Sequence, residues 1–163
     1  PIGEVIGGVA LLGYGVYVLA TPTPTVTVPI TETVPRTTYQ QTPFYYITYT
    51  KINPTTGQVY VGRSSGYGTP TQIAKARDVN HHMTPLGFTG AAVPSTALPA
   101  TVPGGYATRA IDPSYWAIRG SEQMQIEAYR KLGISGNRIN GIGSNNPRLH
   151  QFMEAARKIL QVK

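Results

Sequence analysis

The chain contains no cysteine, so neither a disulfide framework nor a thiolate zinc site can be built from it. It also lacks an apolar run long enough to cross a bilayer as a helix. The longest candidate, "VIGGVALLGYGVYVLA" at residues 5–20, carries four glycines in sixteen positions, whereas a spanning helix needs about 20 apolar residues. No basic residue precedes it, which excludes a signal peptide as it stands. Two readings remain for this segment: packing against a larger parent protein, or a membrane-active or translocation role. Internal repeats are absent, and the first residue is Pro rather than Met, so a piece of a larger protein is expected. Acidic residues are scarce, seven Asp and Glu against 14 Lys and Arg, and this imbalance has an address. Residues 1–43 hold only Glu4, Glu32 and Arg36, while the remaining 120 residues hold 13 Lys and Arg against five Asp and Glu. Such an excess draws polyanions, with contacts that weaken as salt rises.

What the chain does have is glycine and proline, 18 and 14 of them in 163 residues. That length holds one domain with an appendage, and that composition implies long irregular connections. Three zones follow: the apolar segment at 1–20, a linker at 21–42 and a globular domain at 43–163. In "TPTPTVTVPITETVPRTT" (residues 21–38), proline fixes φ and removes donors, so an extended linker is expected. In the globular zone, residues 44–52 and 57–63 read as strands around a turn at Pro54–Gly57. A helix is predicted over 70–81, with Thr69 as cap and Pro70 in its first position. Residues 83–113 hold five prolines and four glycines with little periodicity, and read as a loop insertion extending to 116. A second helix is predicted from a Ser121 cap to Gly133, and a third from Pro147 with Asn146 as cap. On the third, Leu149, Phe152, Met153, Ala156 and Ile159 or Leu160 share a face. The fold class expected is α/β in the α+β sense: a small, largely antiparallel three-stranded sheet flanked by helices.

Chemistry concentrates in "YYITYTKINPTTGQVYVGRSSG", residues 45–66. Alternation places Tyr45, Ile47 and Tyr49 on one face of the first strand, and Tyr60 and Gly62 on one face of the second, with Arg63 next. On the predicted helix, Arg77 and His81 are four residues apart and so share a face. Phenols, guanidinium groups and an imidazole together suit an anionic substrate. Arginine grips phosphate oxygens bidentately, and a phenol can orient or deprotonate a water. The carboxylate able to hold a divalent ion is sought in Glu122, with Glu127 as competitor; an i,i+4 pair with Lys131 accounts for Glu127 otherwise.

The series "FYYIT…GQVYVGR", "RDVNH" and "GSEQMQIEAY" ending in "NRIN" resembles the GIY-YIG endonuclease superfamily, and more narrowly the C-terminal nuclease toxin domains of bacterial Rhs-type polymorphic proteins. The resemblance covers roughly residues 44–160, with "RGSEQMQIEAY…NRINGIGSNNPR" its most specific part. It implies that Tyr45, or Tyr46 in an alternative register, is the first-motif tyrosine, and that Tyr60 and Gly62 belong to the second motif. It further implies that Arg63, Arg77 and His81 are substrate or catalytic groups, that Glu122 is the metal carboxylate, and that Asn140, rather than its rival Asn137, is the terminal asparagine. Departures are visible: Pro43-Phe44 stands where Gly-Ile is usual, and 14 residues separate Tyr45 from Tyr60, a longer spacer than the family's. The resemblance implies one Mg²⁺ or Mn²⁺ ion, DNA as substrate, and secretion or injection by a bacterial delivery protein into a target-cell cytoplasm. It also implies an immunity protein, expected to be acidic so as to complement the charge.

Rival readings were weighed on the same residues. A non-catalytic nucleic-acid-binding module would keep the basic face and have no use for Glu122. A membrane-perturbing toxin would work through residues 5–20. "NHHMTP" resembles the opening of H-N-H nucleases, with His82 activating water, but after Met83 the next Asn is Asn137 and the next His is His150, so the spacing fails. Otherwise His82 reads as an exposed neighbour, and Trp116 as packing in an aromatic-flanked loop.

Overall fold

The structure, a computed structural model, describes residues 10–12, 15–17 and 42–161. The chain divides into two compact units, Pro1–Tyr39 and Gln40–Lys163. In the first, β1 (Ala10–Leu12) pairs antiparallel with β2 (Gly15–Tyr17). The Pro/Thr linker expected at 21–42, Thr42 apart, lies outside the described residues, as does most of the apolar segment. Among the described residues, no helix is long and apolar enough to cross a membrane.

The second unit is α+β, a three-stranded antiparallel sheet with three helices. Strand β3 (Phe44–Ile52) is central, flanked by β4 (Val59–Tyr67) and β5 (Val93–Pro99), in the order β4-β3-β5. The β3–β4 hairpin closes on an Asx turn: Asn53 Oδ1 accepts from the Thr55 and Thr56 amides, and Gly57 takes φ +71°. β4 runs four residues beyond the predicted end, pairing Tyr67 with Phe44. The larger correction concerns residues 83–116. They supply β5, two short 3₁₀ turns and the start of a helix rather than a structureless insertion. Pro94 and Pro99 hid the strand from the sequence, yet a proline with no N–H is tolerated where β5 sits, at a sheet edge.

Helix α1 (Pro70–Asp78) carries the expected Thr69–Gln72 capping box but stops three residues short of the prediction. Asn80 adopts φ +55°, which turns the chain inward and buries His81. Helix α2 (Pro113–Lys131) begins eight residues before Ser121. Its cap is the fully buried Asp112, whose carboxylate accepts from the Ser114, Thr101 and Val102 amides and the Thr101 hydroxyl. Ser121 is therefore a buried interior residue of α2, bonded to Thr96 and Gln125, and Trp116 is helical. Helix α3 (Leu149–Leu160) starts after Arg148, whose amide donates to Asn146 Oδ1, and buries Phe152 and Ala156.

α1 covers one face of the sheet, where Ile73 and Ala74 meet Ile47 and Tyr49. α2 covers the other, where Ile118 meets Phe44 and Tyr46. Each large side chain fully withdrawn from water this way contributes about 1.5–3 kcal/mol. α3 packs behind α2 at Gly120, where a Cβ would collide with the Phe152 carbonyl. The exposed edge of β4 is partly closed by residues 134–137, which run beside it. Val59 N donates to Ile134 O and Gly136 N to Val59 O, and the Asn137 amide both accepts from Val61 N and donates to Val61 O, each at 2.8 Å. This segment then turns back over α2, and the site lies between the two.

Candidate active site

A cleft of about 480 Å³ opens where β4, the turn after α1, the middle of α2 and residues 136–141 meet. Tyr60, Arg63, His82, Glu122, Asn137, Arg138 and Asn140 supply its polar lining. Four residues scattered over 80 positions and expected to act together, Tyr60, Arg63, Glu122 and Asn140, thus face one space.

Glu122 is the buried anion of the cleft. Arg63 Nε stands 2.8 Å from its Oε2, yet that oxygen accepts no aligned hydrogen bond among the described residues. The contact is an ion pair by distance, with acceptor capacity left over. Burial raises the Glu122 pKa, and Arg63 and Arg119 pull it partly back. Gly141 presses against the carboxylate so closely that a Cβ there would lie 2.8 Å from Oε2. Glu127 is exposed and accepts from Gln123 Nε2 at 2.7 Å rather than pairing with Lys131.

The first-motif tyrosine requires correction. Tyr46 faces α2, fully buried with its hydroxyl toward Gly105 O, and its pKa is pushed up to about 12 by burial and then Asp112. Tyr45 packs beside the Ile47, Tyr49, Ile73 and Ala74 cluster, four strand residues and so roughly 13 Å from Tyr49. Neither lines the cleft, and Tyr49, fully buried, does not line it either. The phenol beside Tyr60 is Tyr49, with ring centroids 6.4 Å apart. Its partner across the ladder is Gly62, where a Cβ would come within 2.5 Å of the Tyr49 hydroxyl oxygen, so only glycine fits. Ten residues separate Tyr49 from Tyr60, against 14 between Tyr45 and Tyr60.

Both phenols are held neutral. Burial, then Tyr60, drives Tyr49 up to about 12, and burial, then Glu122, raises Tyr60. Arg77 lowers and Glu122 raises the pKa of each, so all four groups share one electrostatic neighbourhood. Arg77 is exposed on α1, and because the helix ends at Asp78, the expected helical face shared with His81 does not exist. His81 reaches the site from the turn instead, its Nε2 2.8 Å from the Tyr49 hydroxyl. The Met83 amide donates to His81 Nδ1 at 3.1 Å, which fixes the proton on Nε2 and makes this imidazole a donor to Tyr49. Burial, then His82 and Arg77, depress the His81 pKa to about 4. His81 is thus uncharged at neutral pH.

His82, read from the sequence as an exposed neighbour, is exposed; it stacks on His81 at 4.7 Å and meets the edge of Tyr60 at 5.6 Å, with its ring at the cleft. Asn137 and Asn140 both line the cleft; the Asn137 side chain is committed to β4 through Val61, while Asn140 Oδ1 accepts from Arg130. His150 lies on α3 against Glu154, remote in sequence and structure from the pair His81–His82, so the H-N-H arrangement is not assembled.

Among the described residues no group of three or more His, Asp or Glu side chains could hold an ion. The donor set that remains is one carboxylate, whose Oε2 already faces Arg63 Nε at 2.8 Å, and it suits only a divalent ion that keeps most of its waters, as Mg²⁺ does. No family model, curated protein or solved structure matches the chain.

Proposed function

We propose that the domain at 43–163 is a metal-dependent endonuclease that hydrolyses DNA phosphodiesters. The observation that carries this reading is the convergence of Tyr60, Arg63 and the buried Glu122 on a single cleft, with Tyr49 and Arg77 acting on the same groups electrostatically. Arg63 and Arg77 would grip the non-bridging oxygens of a phosphodiester. Tyr60, protonated at neutral pH and lining the cleft, would orient the attacking water or the phosphate as a donor rather than remove a proton, while Tyr49 holds His81 beside it. His82 is the imidazole at the cleft whose ring nitrogens are not committed to the core, so the proton-accepting role falls to it. The water oxygen attacks phosphorus, its proton passes to His82, and the bond to the leaving sugar oxygen breaks. Glu122 would hold the ion, which when bound polarises the phosphoryl oxygen and stabilises the leaving alkoxide.

The charge excess downstream of residue 43 supports a polyanionic substrate. On the resemblance to Rhs-type toxin domains, we place this enzyme at the end of a secreted delivery protein, acting in a target-cell cytoplasm and held in check by an acidic immunity protein. Incubating the protein with supercoiled plasmid and with RNA, in Mg²⁺ with and without EDTA, tests the reading. Nicking of the plasmid that EDTA abolishes is expected. Plasmid binding without nicking at any metal concentration would instead establish a non-catalytic nucleic-acid module.

A further inference from the structure

The cleft does not end at Arg63. Beyond it, Arg63, Ser64, Arg109 and Tyr115 border a groove of about 310 Å³, and Arg63 Nη1 donates to the Tyr115 hydroxyl at 3.3 Å. Arg109 and Tyr115 continue into a pocket of about 350 Å³, lined also by Trp116, Arg119, Asn146 and Arg148. Neither the groove nor the pocket has an acidic side chain in its lining. The two spaces join the Glu122 cleft through shared residues, Arg63 at one end and Arg109 with Tyr115 at the other.

One feature of the pocket asks for an anion. Arg119 Nε is buried and has no hydrogen-bond partner among the described residues, while its guanidinium lies 4.6 Å from the centre of the Phe152 ring. Burial, then Arg63, lowers its pKa, and Tyr115 and Glu122 offset this only in part. Arg109 and Arg148 add two exposed guanidinium groups at the rim. Trp116 is half-buried, and its indole N–H is already donated to Ala110 O at 2.9 Å, which leaves the ring itself as what it offers a ligand. Along α2, Trp116, Arg119 and Glu122 follow at intervals of three residues, a rise of about 4.5 Å each, so stacking surface, cation and carboxylate stand in a row.

We infer that this pocket receives a nucleotide of the same strand next to the scissile phosphodiester: Arg109, Arg119 and Arg148 take its phosphate and Trp116 stacks on its base. Aromatic–base stacking beside a basic track is how single strands are held without sequence preference. The inference rests on the nuclease reading for the strand's identity, but not for the pocket's affinity.

Trp116 is the sole tryptophan of the chain, so its fluorescence reports occupancy directly. A short single-stranded DNA oligonucleotide is titrated in EDTA, with Trp emission and the anisotropy of a labelled oligonucleotide followed together. Saturable quenching that tracks anisotropy is expected. The double variant Arg109→Ala with Arg148→Ala, both exposed positions, should weaken binding on the order of tenfold and lower the salt slope by about one to two. Lys75→Ala, exposed on α1, should change neither. Unchanged Trp116 emission at saturating oligonucleotide, or an unchanged affinity and slope in the double variant, would overturn the assignment. So would equal quenching by inorganic phosphate at the same concentrations. Quenching and a lowered slope in a protein that never nicks plasmid would sink the enzyme reading and leave the pocket standing; nicking with silent Trp116 would do the reverse.

Discussion

Tyr49 and Tyr60 are, by propensity, ordinary strand residues. What separates them from the other tyrosines is their surroundings: glycine beneath Tyr49 at position 62, a neutral His81 donating to its hydroxyl, and Glu122 and Arg77 acting on both. Tyr60→Phe should therefore slow single-turnover DNA cleavage by about 10²–10³, the effect of losing one preorganised donor at the cleft. Tyr45→Phe and Tyr46→Phe should leave the rate within a few-fold; a large loss in either would return the first motif to that end of β3. His81 gives a stability test with a definite sign. Its folded pKa, about 4, lies below the ordinary 6.5, so the unfolded chain binds more protons between those values. Its contribution to stability is complete above pH 6.5 and is lost as pH falls toward 4, by up to about 1.4 kcal/mol per unit. Urea midpoints of the wild type should fall across that window, and those of His81→Gln should fall less. Identical profiles would mean that the imbalance in proton binding lies elsewhere.

At the scale of elements, the legible parts were those whose signals are local. The tyrosine- and valine-rich arms around Asn53–Gly57 gave the hairpin, and Thr69-Pro70 with Gln72 gave the start of α1. The Leu149–Ala156 spacing marked the face of α3 that packs on α2. β5 was hidden because two prolines read as loop punctuation, whereas their pairing is decided by edge position, a tertiary fact. The start of α2 was available in Asp112-Pro113, a capping residue followed by proline, but was masked by the apparent disorder of the prolines around it. The reach of α1 to residue 81 failed because Asn80 turns left-handed and Asp78 is engaged by Lys51 at 2.6 Å. Gly120 supplies the test at this scale. With the Phe152 carbonyl and Ala156 against it, Gly120→Ala must separate α2 from α3. A loss of about 1–3 kcal/mol in chemical denaturation is expected, although alanine is the better helix former; a stabilised variant would show that the two helices do not meet there.

At the scale of the molecule, the site exists only because the chain brings together parts that are remote in sequence. The hairpin supplies Tyr49, Tyr60 and Arg63, α2 supplies Glu122, and the segment that clasps the edge of β4 supplies Asn140 and the close contact of Gly141. The set of residue types could be read from the sequence, and Tyr60, Arg63, Glu122 and Asn140 were among them. The roles of Tyr49, His82 and the arginine pocket needed the fold, since each depends on which face of an element turns toward the cleft. The most direct measurement is the initial rate of plasmid nicking in Mg²⁺ by wild type and by Glu122→Gln, with near-ultraviolet circular dichroism to show that both are folded. A drop of at least about 10²-fold is expected in the variant, with DNA binding retained or tightened because a buried negative charge is gone. Nicking by folded Glu122→Gln at the wild-type rate would contradict a phosphodiester-cutting centre built on this carboxylate.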